Sequence, residues 1–294
     1  MANPTTFQAH SSYVIDLLFT PDSGTLISAG MDRLVKLWSA PDWRAAGTWE
    51  GHAKSVNGLA LSPDGRTLAT SSTDATVRLW SLPEGEVQHT LTDRKKTAAS
   101  VSWSPDGAWV GAGWYGGRAT VWTAEGELVA GIQASAKNLV AVAFAGAAGR
   151  TLATAGLGDE IGLWALPSGE PLGTLGGHQT AVMALAWIHG GRTLISAGYE
   201  GTVKFWETAS QSERRSYTLT GRGAQGTRAI TVSKDQQTIA LSLEGRVELR
   251  SVEDWSLLDE LPVSTHVIYG CAFSPDGRWL AAGAADGKIR VWAL

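Results

Sequence analysis

Residues 51–80 read "GHAKSVNGLALSPDGRTLATSSTDATVRLW". The segments "RTLAT" and "ATVRLW" carry apolar residues at a period of two, the repeat of a strand rather than a helix. Ser62-Pro63-Asp64-Gly65 leads into the first of them. Proline presets φ, aspartate caps free backbone groups and glycine accepts positive φ, so this is turn chemistry. The phrase closes on Trp80. Closing tryptophans stand at Trp38, Trp80, Trp122, Trp164 and Trp206, each 42 residues from the next, and at Trp292, 86 residues beyond Trp206. The gap holds "GRVELR", ending at Arg250. Seven units of 42 residues match the chain length of 294. Pro-Asp-Gly returns at Pro105-Asp106-Gly107 and Pro275-Asp276-Gly277, and no segment carries a helical period. Each unit reads as four short antiparallel strands.

Composition agrees. The 35 glycines and 14 tryptophans suit short strands joined by tight turns. A net charge of -4 offers no general attraction for nucleic acid or a membrane surface. Cys271 is the lone cysteine, which excludes an internal disulfide and a cysteine-based zinc site. The opening "MANPTTFQAH" lacks the basic-then-apolar order of a secretory signal, and no apolar run nears the roughly 18 residues of a spanning helix. A cytoplasmic location is expected, with no membrane contact and no cofactor.

The repeated phrase, Gly51-His52, strand, turn, strand, Asp74 and closing Trp80, resembles the WD-repeat β-propeller family along the whole chain. The resemblance implies an all-β, seven-bladed propeller with four antiparallel strands per blade, one domain over residues 1–294. It also implies that the N-terminal strand completes the last blade. "TTFQAH" matches the fourth-strand text "GTWEGH" of the next unit, so residues about 5–9 are expected to pair with the strand ending at Trp292. Such pairing closes the ring and removes exposed sheet edges. The turn phrase "SPDGR" resembles bacterial members of the family.

His10, Ser28, Asp32 and Trp38 are the first set of a recurring quartet. His52, Thr70, Asp74 and Trp80 are the second; His178, Ser196, Glu200 and Trp206 are the fifth. Ser, His and Asp also compose a hydrolase triad. The resemblance implies the structural alternative, a buried hydrogen-bond chain from Trp through a hydroxyl to His and the acid. A nucleophile is needed once and this set recurs, which favours the structural reading. The fourth unit offers Ser135, Thr154 and Trp164, with Asp159 one place late. The third keeps Trp122 but has Arg94, Ala112 and Gly116 in the other places. The seventh keeps Asp286 and Trp292 but has Ser264 and Ala282, and in the sixth Arg250 replaces the tryptophan. Blades 3 and 6 are therefore expected to be the least locked.

Strands are committed to packing, so loops carry function. The resemblance implies that partners dock on the face formed by the fourth-to-first-strand loops and the Asp-bearing turns. Bases cluster there: Lys54, then Arg94, Lys95 and Lys96, then Lys137. Trp114 and Tyr115 stand beside them, with Met31, Tyr199 and Tyr13 elsewhere on the rim. Base plus aromatic suits an acidic or phosphorylated peptide. The opposite turns are acid-rich, with Asp22, Asp64, Asp106, Asp235 and Asp276, and read as solvated turns. Trp43 and Trp255, in third-to-fourth-strand loops, are either exposed anchors or folded back over their blades. "ETASQSERRSYTLTG", residues 207–221, reads as the longest connection.

The expected function is a non-catalytic scaffold, monomeric by itself, that docks a protein or peptide partner, a separately encoded enzyme among the candidates. Two alternatives stand beside it. One is a propeller enzyme with an axial-channel site, for which the inner strands offer Asp16 and little else. The other is a designed or consensus-derived propeller, against which the irregular sixth unit speaks. Single-stranded nucleic acid fits base plus aromatic weakly, and the acidic total argues against it.

Overall fold

The Ser-Pro-Asp-Gly turns set where strands end. In the computed structural model, which describes residues 3–146, 149–220, 226–263 and 266–294, the Ser62 hydroxyl donates to Asp64 Oδ1 at 2.6 Å. That oxygen also accepts the Arg66 N–H at 3.0 Å, while Ser62 Oγ accepts the Thr67 N–H at 2.9 Å. Gly65 supplies the positive φ of 73°. The hydroxyl-to-aspartate bond repeats as Thr20–Asp22, Ser104–Asp106, Ser233–Asp235 and Ser274–Asp276. At Asp22, Asp64, Asp235 and Asp276 the donated hydroxyl proton holds the carboxyl below its ordinary range. At Asp106 burial works the other way and the hydrogen bonds outweigh it. These acids are spent on their own turns.

Between the turns lie seven four-stranded antiparallel sheets, six of them with their strands in sequence order. Blade 1 comprises Val14–Phe19, Thr25–Gly30, Val35–Ser39 and Arg44–Trp49; blade 2 comprises Val56–Leu61, Thr67–Ser72, Val77–Ser81 and Val87–Leu91. Blade 3 comprises Ala98–Trp103, Trp109–Trp114, Arg118–Thr123 and Leu128–Gln133. Blade 4 comprises Leu139–Ala145, Thr151–Gly156, Glu160–Ala165 and Pro171–Gly176. Blade 5 comprises Val182–Ile188, Thr193–Gly198, Thr202–Glu207 and Ser212–Thr218; blade 6 comprises Ile230–Val232, Thr238–Leu243, Arg246–Ser251 and Leu257–Pro262. Blade 7 takes Ile268–Phe273, Trp279–Ala284 and Lys288–Ala293 from the end of the chain and Thr5–Gln8 from its beginning. Thr5 faces Val291 and Phe7 faces Ile289 in that pairing, which closes the ring as the sequence led us to expect. The fold is thus an all-β, seven-bladed propeller.

Contacts group the chain into two units, residues 1–58 with 221–294, and residues 59–220. In each the core lies between facing sheets. Val14, Leu17 and Phe19 meet Ala272, Ala281 and Ile289 in the first unit; Val121 and Ile132 meet Leu139, Phe144 and Leu152 in the second. Approach is close. A Cβ on Gly111 would come within 2.9 Å of the Phe144 ring, so the small residue is what lets the sheets pack at interior density. Cys271 is part of this core, and burial pushes its thiol up to about 12. Among the described residues no helix is long and apolar enough to cross a membrane.

Two sequence readings are settled by packing. Trp43 and Trp255 fold back and are buried. Both adopt the left-handed backbone, φ 54° and 64°, that Gly85 and Gly169 adopt in other units. A left-handed non-glycine costs about 1 kcal/mol, which Trp43 offsets by packing edge-on against Phe19 and Trp279. The stretch 207–221 is not a long connection: Ser212–Thr218 is the outer strand of blade 5. Val203 faces Tyr217 and Phe205 faces Arg215 across the ladder, and the guanidinium of Arg215 lies 5.0 Å from the Phe205 ring. An outer strand whose inward positions are Arg and Tyr reads as polar, and polarity disguised it.

Candidate functional site

In blade 1 the Ser28 hydroxyl accepts the Trp38 indole N–H at 2.9 Å and lies 2.8 Å from His10 Nε2, while His10 Nδ1 lies 2.8 Å from Asp32 Oδ1. A carboxylate only accepts, so Nδ1 carries the proton and Nε2 takes the hydroxyl's. Burial of Asp32 would raise its carboxyl, but His10 and the Ser11 and Leu34 N–H groups hold it below its ordinary range. Blade 5 repeats the chain through Trp206, Ser196, His178 and Glu200, with His178 2.7 Å from Ser196 Oγ and 2.6 Å from Glu200 Oε1. The longer Glu200 is further held by the Thr180 and Thr202 hydroxyls. Burial works to raise it, yet these donors and His178 bring it to about 2. Burial in turn keeps the His178 imidazole below its ordinary range, so the ring is neutral at pH 7. In blade 2 Trp80 donates to Thr70 at 2.8 Å, His52 is buried and Asp74 is half-buried. The hydroxyls of Ser28, Thr70 and Ser196 are inaccessible, and each accepts an indole N–H. A nucleophile needs an approach path, and these have none.

Other blades fill the same slot differently. Trp114 is buried and lies edge-on to Trp122, ring centroids 6.1 Å apart, so it is not the surface aromatic that its place beside Tyr115 led us to expect. In blade 7 Arg290 makes a two-pronged ion pair with Asp286, at 3.1 and 2.6 Å, above Ala282; Ser264 lies outside the described residues. In blade 6 the buried Glu248 sits between Arg246 and Arg250, both at 2.8 Å, and Arg250 lies 5.3 Å from the Trp255 ring. Blade 4 keeps the Trp164-to-Thr154 bond at 2.9 Å. It places Ser135 where blade 1 has His10: Ala134 and Ser135 both donate backbone N–H groups to Gly117, as Ala9 and His10 do to Gly287. The Ser135 hydroxyl turns away to accept the Lys137 N–H. A hollow of about 280 Å³ remains, lined by Ser135, Lys137, Thr154, Gly158, Asp159 and Glu160.

The loops above blades 3 to 5 form one hydrogen-bonded surface. Tyr115 N–H donates to Thr97, Gly116 N–H to the Asn138 side chain, Leu157 N–H to Asn138 and Tyr199 N–H to Ala181. Upon it stand the exposed bases Arg94, Lys95, Lys96 and Lys137, and the exposed apolar residues Tyr115, Leu157 and Tyr199, which are 41, 46 and 47% accessible. Asp93 pairs inward with Arg118 at 2.9 Å, so it does not cancel the bases that follow it. Lys137 shares its hollow with Asp159 and Glu160, so the strongest positive charge is at 94–96. Arg94 and Lys95 hold left-handed backbone, φ 45° and 52°. Leu157 stands three periods from Met31 and one from Tyr199, just before the Asp position of its unit. Met31, Tyr13 and Lys54 belong to the other unit, where Tyr13 stacks on Tyr269 at 5.6 Å and Arg228 lies 5.1 Å from the Tyr269 ring. Among the described residues no group of three or more His, Cys, Asp or Glu is placed to hold a metal ion.

Residues 2–251 match the family described as IFT122 first beta-propeller, and residues 255–293 match the WD domain, G-beta repeat. Target of rapamycin complex subunit wat1 of Schizosaccharomyces pombe is 30% identical over 34% of this chain and 32% of its own. Pre-mRNA-processing factor 19 homolog 2 of Arabidopsis thaliana is 28% identical over 48% of this chain and 27% of its own. Human WD repeat-containing protein 36 is 26% identical over 46% of this chain and 15% of its own. The matched regions thus span 32% or less of these relatives' lengths. All three are eukaryotic, and the bacterial kinship expected from the turn phrases finds no support in them. With the repeat, the seven sheets and these matches together, the chain belongs to the WD-repeat β-propeller family, in the group described by the IFT122 first β-propeller.

Proposed function

We propose that this protein is a non-catalytic docking scaffold, and that the loops above blades 3 to 5 receive an acidic or phosphorylated protein segment. The observation that carries the reading is the triplet Arg94-Lys95-Lys96. Its neighbouring acid is drawn inward by Arg118, and exposed Tyr115, Leu157 and Tyr199 lie on the same hydrogen-bonded loops. Bases supply long-range attraction and charge-assisted hydrogen bonds; the aromatic and apolar groups supply the desolvated contact that charge alone does not. The left-handed backbone of Arg94 and Lys95 fits the same reading, since strain of about 1 kcal/mol at each is kept where a glycine would relieve it. The relative wat1 is by its name a subunit of a complex, which agrees with a scaffold. A partner encoded separately, an enzyme included, is the natural occupant.

The test is binding of a panel of acidic peptides, each with and without phosphoserine, to the wild type and to R94A/K95A/K96A. The triple variant is expected to bind at least about tenfold more weakly, a change of roughly 1.4 kcal/mol, and the wild type's affinity is expected to fall with added salt. Replacing Arg66 and Arg278, in turns at the other end of their blades, is expected to change nothing. Equal binding by the wild type and the triple variant would sink the reading.

A further inference from the structure

We propose that blade 4 contains an open socket for an imidazole ring, and that a histidine of the docked partner fills it. The slot between the hydroxyl, the tryptophan and the acid is occupied in its sister blades. Blades 1 and 5 seat an imidazole there, with Nε2 on Ser28 or Ser196 and Nδ1 on Asp32 or Glu200. In blade 7 a guanidinium meets the acid instead. Blade 4 has the hollow of about 280 Å³ and no side chain of its own in the histidine's place.

What remains in the hollow selects the ring. Blades that keep the hydroxyl–tryptophan pair hold an imidazole; blade 7, with Ala282 in the hydroxyl's place, holds a guanidinium. Blade 4 keeps the pair. Thr154 is 2% exposed, its hydroxyl accepts the Trp164 N–H, and among the described residues its own proton goes to no acceptor. In blades 1 and 5 that proton goes to Nε2. At the other end Glu160 holds the strand position of Thr202, whose hydroxyl lies 3.2 Å from His178 Nδ1, and Asp159 precedes it. A ring placed as His178 is placed therefore finds a donor for Nε2 and carboxylates for Nδ1–H. The hollow opens past exposed Lys137, Asp159 and Glu160, on the loops that also carry Arg94 to Lys96. Its volume falls just below the roughly 300–1,000 Å³ of drug-sized pockets, which suits one inserted side chain.

That the ring comes from a protein partner rests on the docking reading above; the socket itself does not. The probe is 4-methylimidazole, the histidine side chain as a free molecule, titrated into the whole chain and followed by calorimetry and tryptophan fluorescence. Saturable binding to the wild type is expected, weakened at least tenfold in Thr154→Val, which removes the donor. It is expected to weaken as much in Ser135→His, whose own ring takes the slot; this variant is also expected to melt at a higher temperature, and it adds a group rather than deleting one should Thr154→Val fold poorly. Methylguanidine is expected to bind at least tenfold more weakly than 4-methylimidazole. The proposal is overturned if the wild type does not bind, if the variants bind equally, or if methylguanidine binds as well. Because no partner is in the cell, such a failure removes the socket and leaves the peptide test of Arg94 to Lys96 standing. Conversely, R94A/K95A/K96A losing peptide while still binding 4-methylimidazole separates the two sites.

Discussion

The indole of Trp114 stands at the strand position of Gly30, where blade 1 leaves room for its histidine: a Cβ on Gly30 would come within 2.3 Å of the His10 ring. Blade 3 has no histidine, and its strand ends in the largest side chain available. Blade 3 thus has buried area where blade 1 has hydrogen bonds, although the Trp114 N–H is left without a partner among the described residues. The contribution of that buried area is testable. Trp114→Gly recreates the blade 1 backbone position without its histidine, and should cost about 3–5 kcal/mol, the usual range for a large aromatic removed from a core. Chemical denaturation measures it; a loss under 1 kcal/mol would mean that the indole is not filling the slot. The signal was present in the sequence. Every unit with a His–acid pair has Gly or Ser at this place, as in Gly30, Ser72 and Gly198, so a tryptophan appearing where histidine vanishes marks a compensating pair. Tyr115, one residue on, faces out. Trp114 ends the strand Trp109–Trp114 with its side chain buried, and Tyr115 begins the turn beyond it.

At the scale of the blade, legibility followed chemistry. Strands bounded by Pro-Asp-Gly turns were plain, because the turn residues and the period of two agree. Ser212–Thr218 was not, since an outermost strand buries little and its inward residues, Arg215 and Tyr217, cover Phe205 with a guanidinium and a ring. Blade 6 shows the same limit. From the sequence, Arg250 in place of tryptophan reads as decay. In the structure the strand Arg246–Ser251 carries a buried Glu248 held by both neighbouring arginines, and Arg246 also reaches Glu260 at 3.2 Å. An ion triad of this kind adds little compared with an apolar core, but breaking it strands the remaining charges. Glu248→Ala should therefore destabilise by about 3–5 kcal/mol, whereas Glu248→Leu combined with Arg246→Met and Arg250→Trp, the last restoring what other blades have, should be close to neutral. Urea midpoints of the two variants decide it. If the single substitution is as mild as the triple, the triad holds nothing together.

Across the whole molecule the repeated turns give a repeated titration. Asp22, Asp64, Asp106, Asp235 and Asp276 are all held below their ordinary 3.8 in the folded chain. Around that pH the unfolded chain binds more protons than the folded one, so stability rises with pH there. The contribution is complete above the unfolded values near 4 and is lost as pH falls through the folded ones. Glu200, at about 2 against an ordinary 4.5, acts over a wider window of the same sign. His178 agrees with them: burial keeps its folded value below 6.5, so the unfolded chain takes up a proton first, and stability falls as pH drops through 6.5. The melting temperature is expected to be flat from about pH 7 to pH 8, to fall above about pH 9 because the buried Cys271 thiol is held up to about 12, and to fall on the acid side through two ranges, gently below pH 6.5 and steeply from about pH 4.5 to 2. Substitution separates the steps. Glu200→Gln should differ from the wild type by roughly 2 kcal/mol more at pH 6 than at pH 2, because the wild type alone loses its carboxylate on acidification. Asp64→Asn and Asp276→Asn, at solvated turns in different blades, should each remove a smaller part of the acid step, and their effects should add because the sites share no partner. A difference between wild type and Glu200→Gln that stays constant from pH 6 to 2 would show that the threonine hydroxyls and His178 do not hold the Glu200 charge in the folded state.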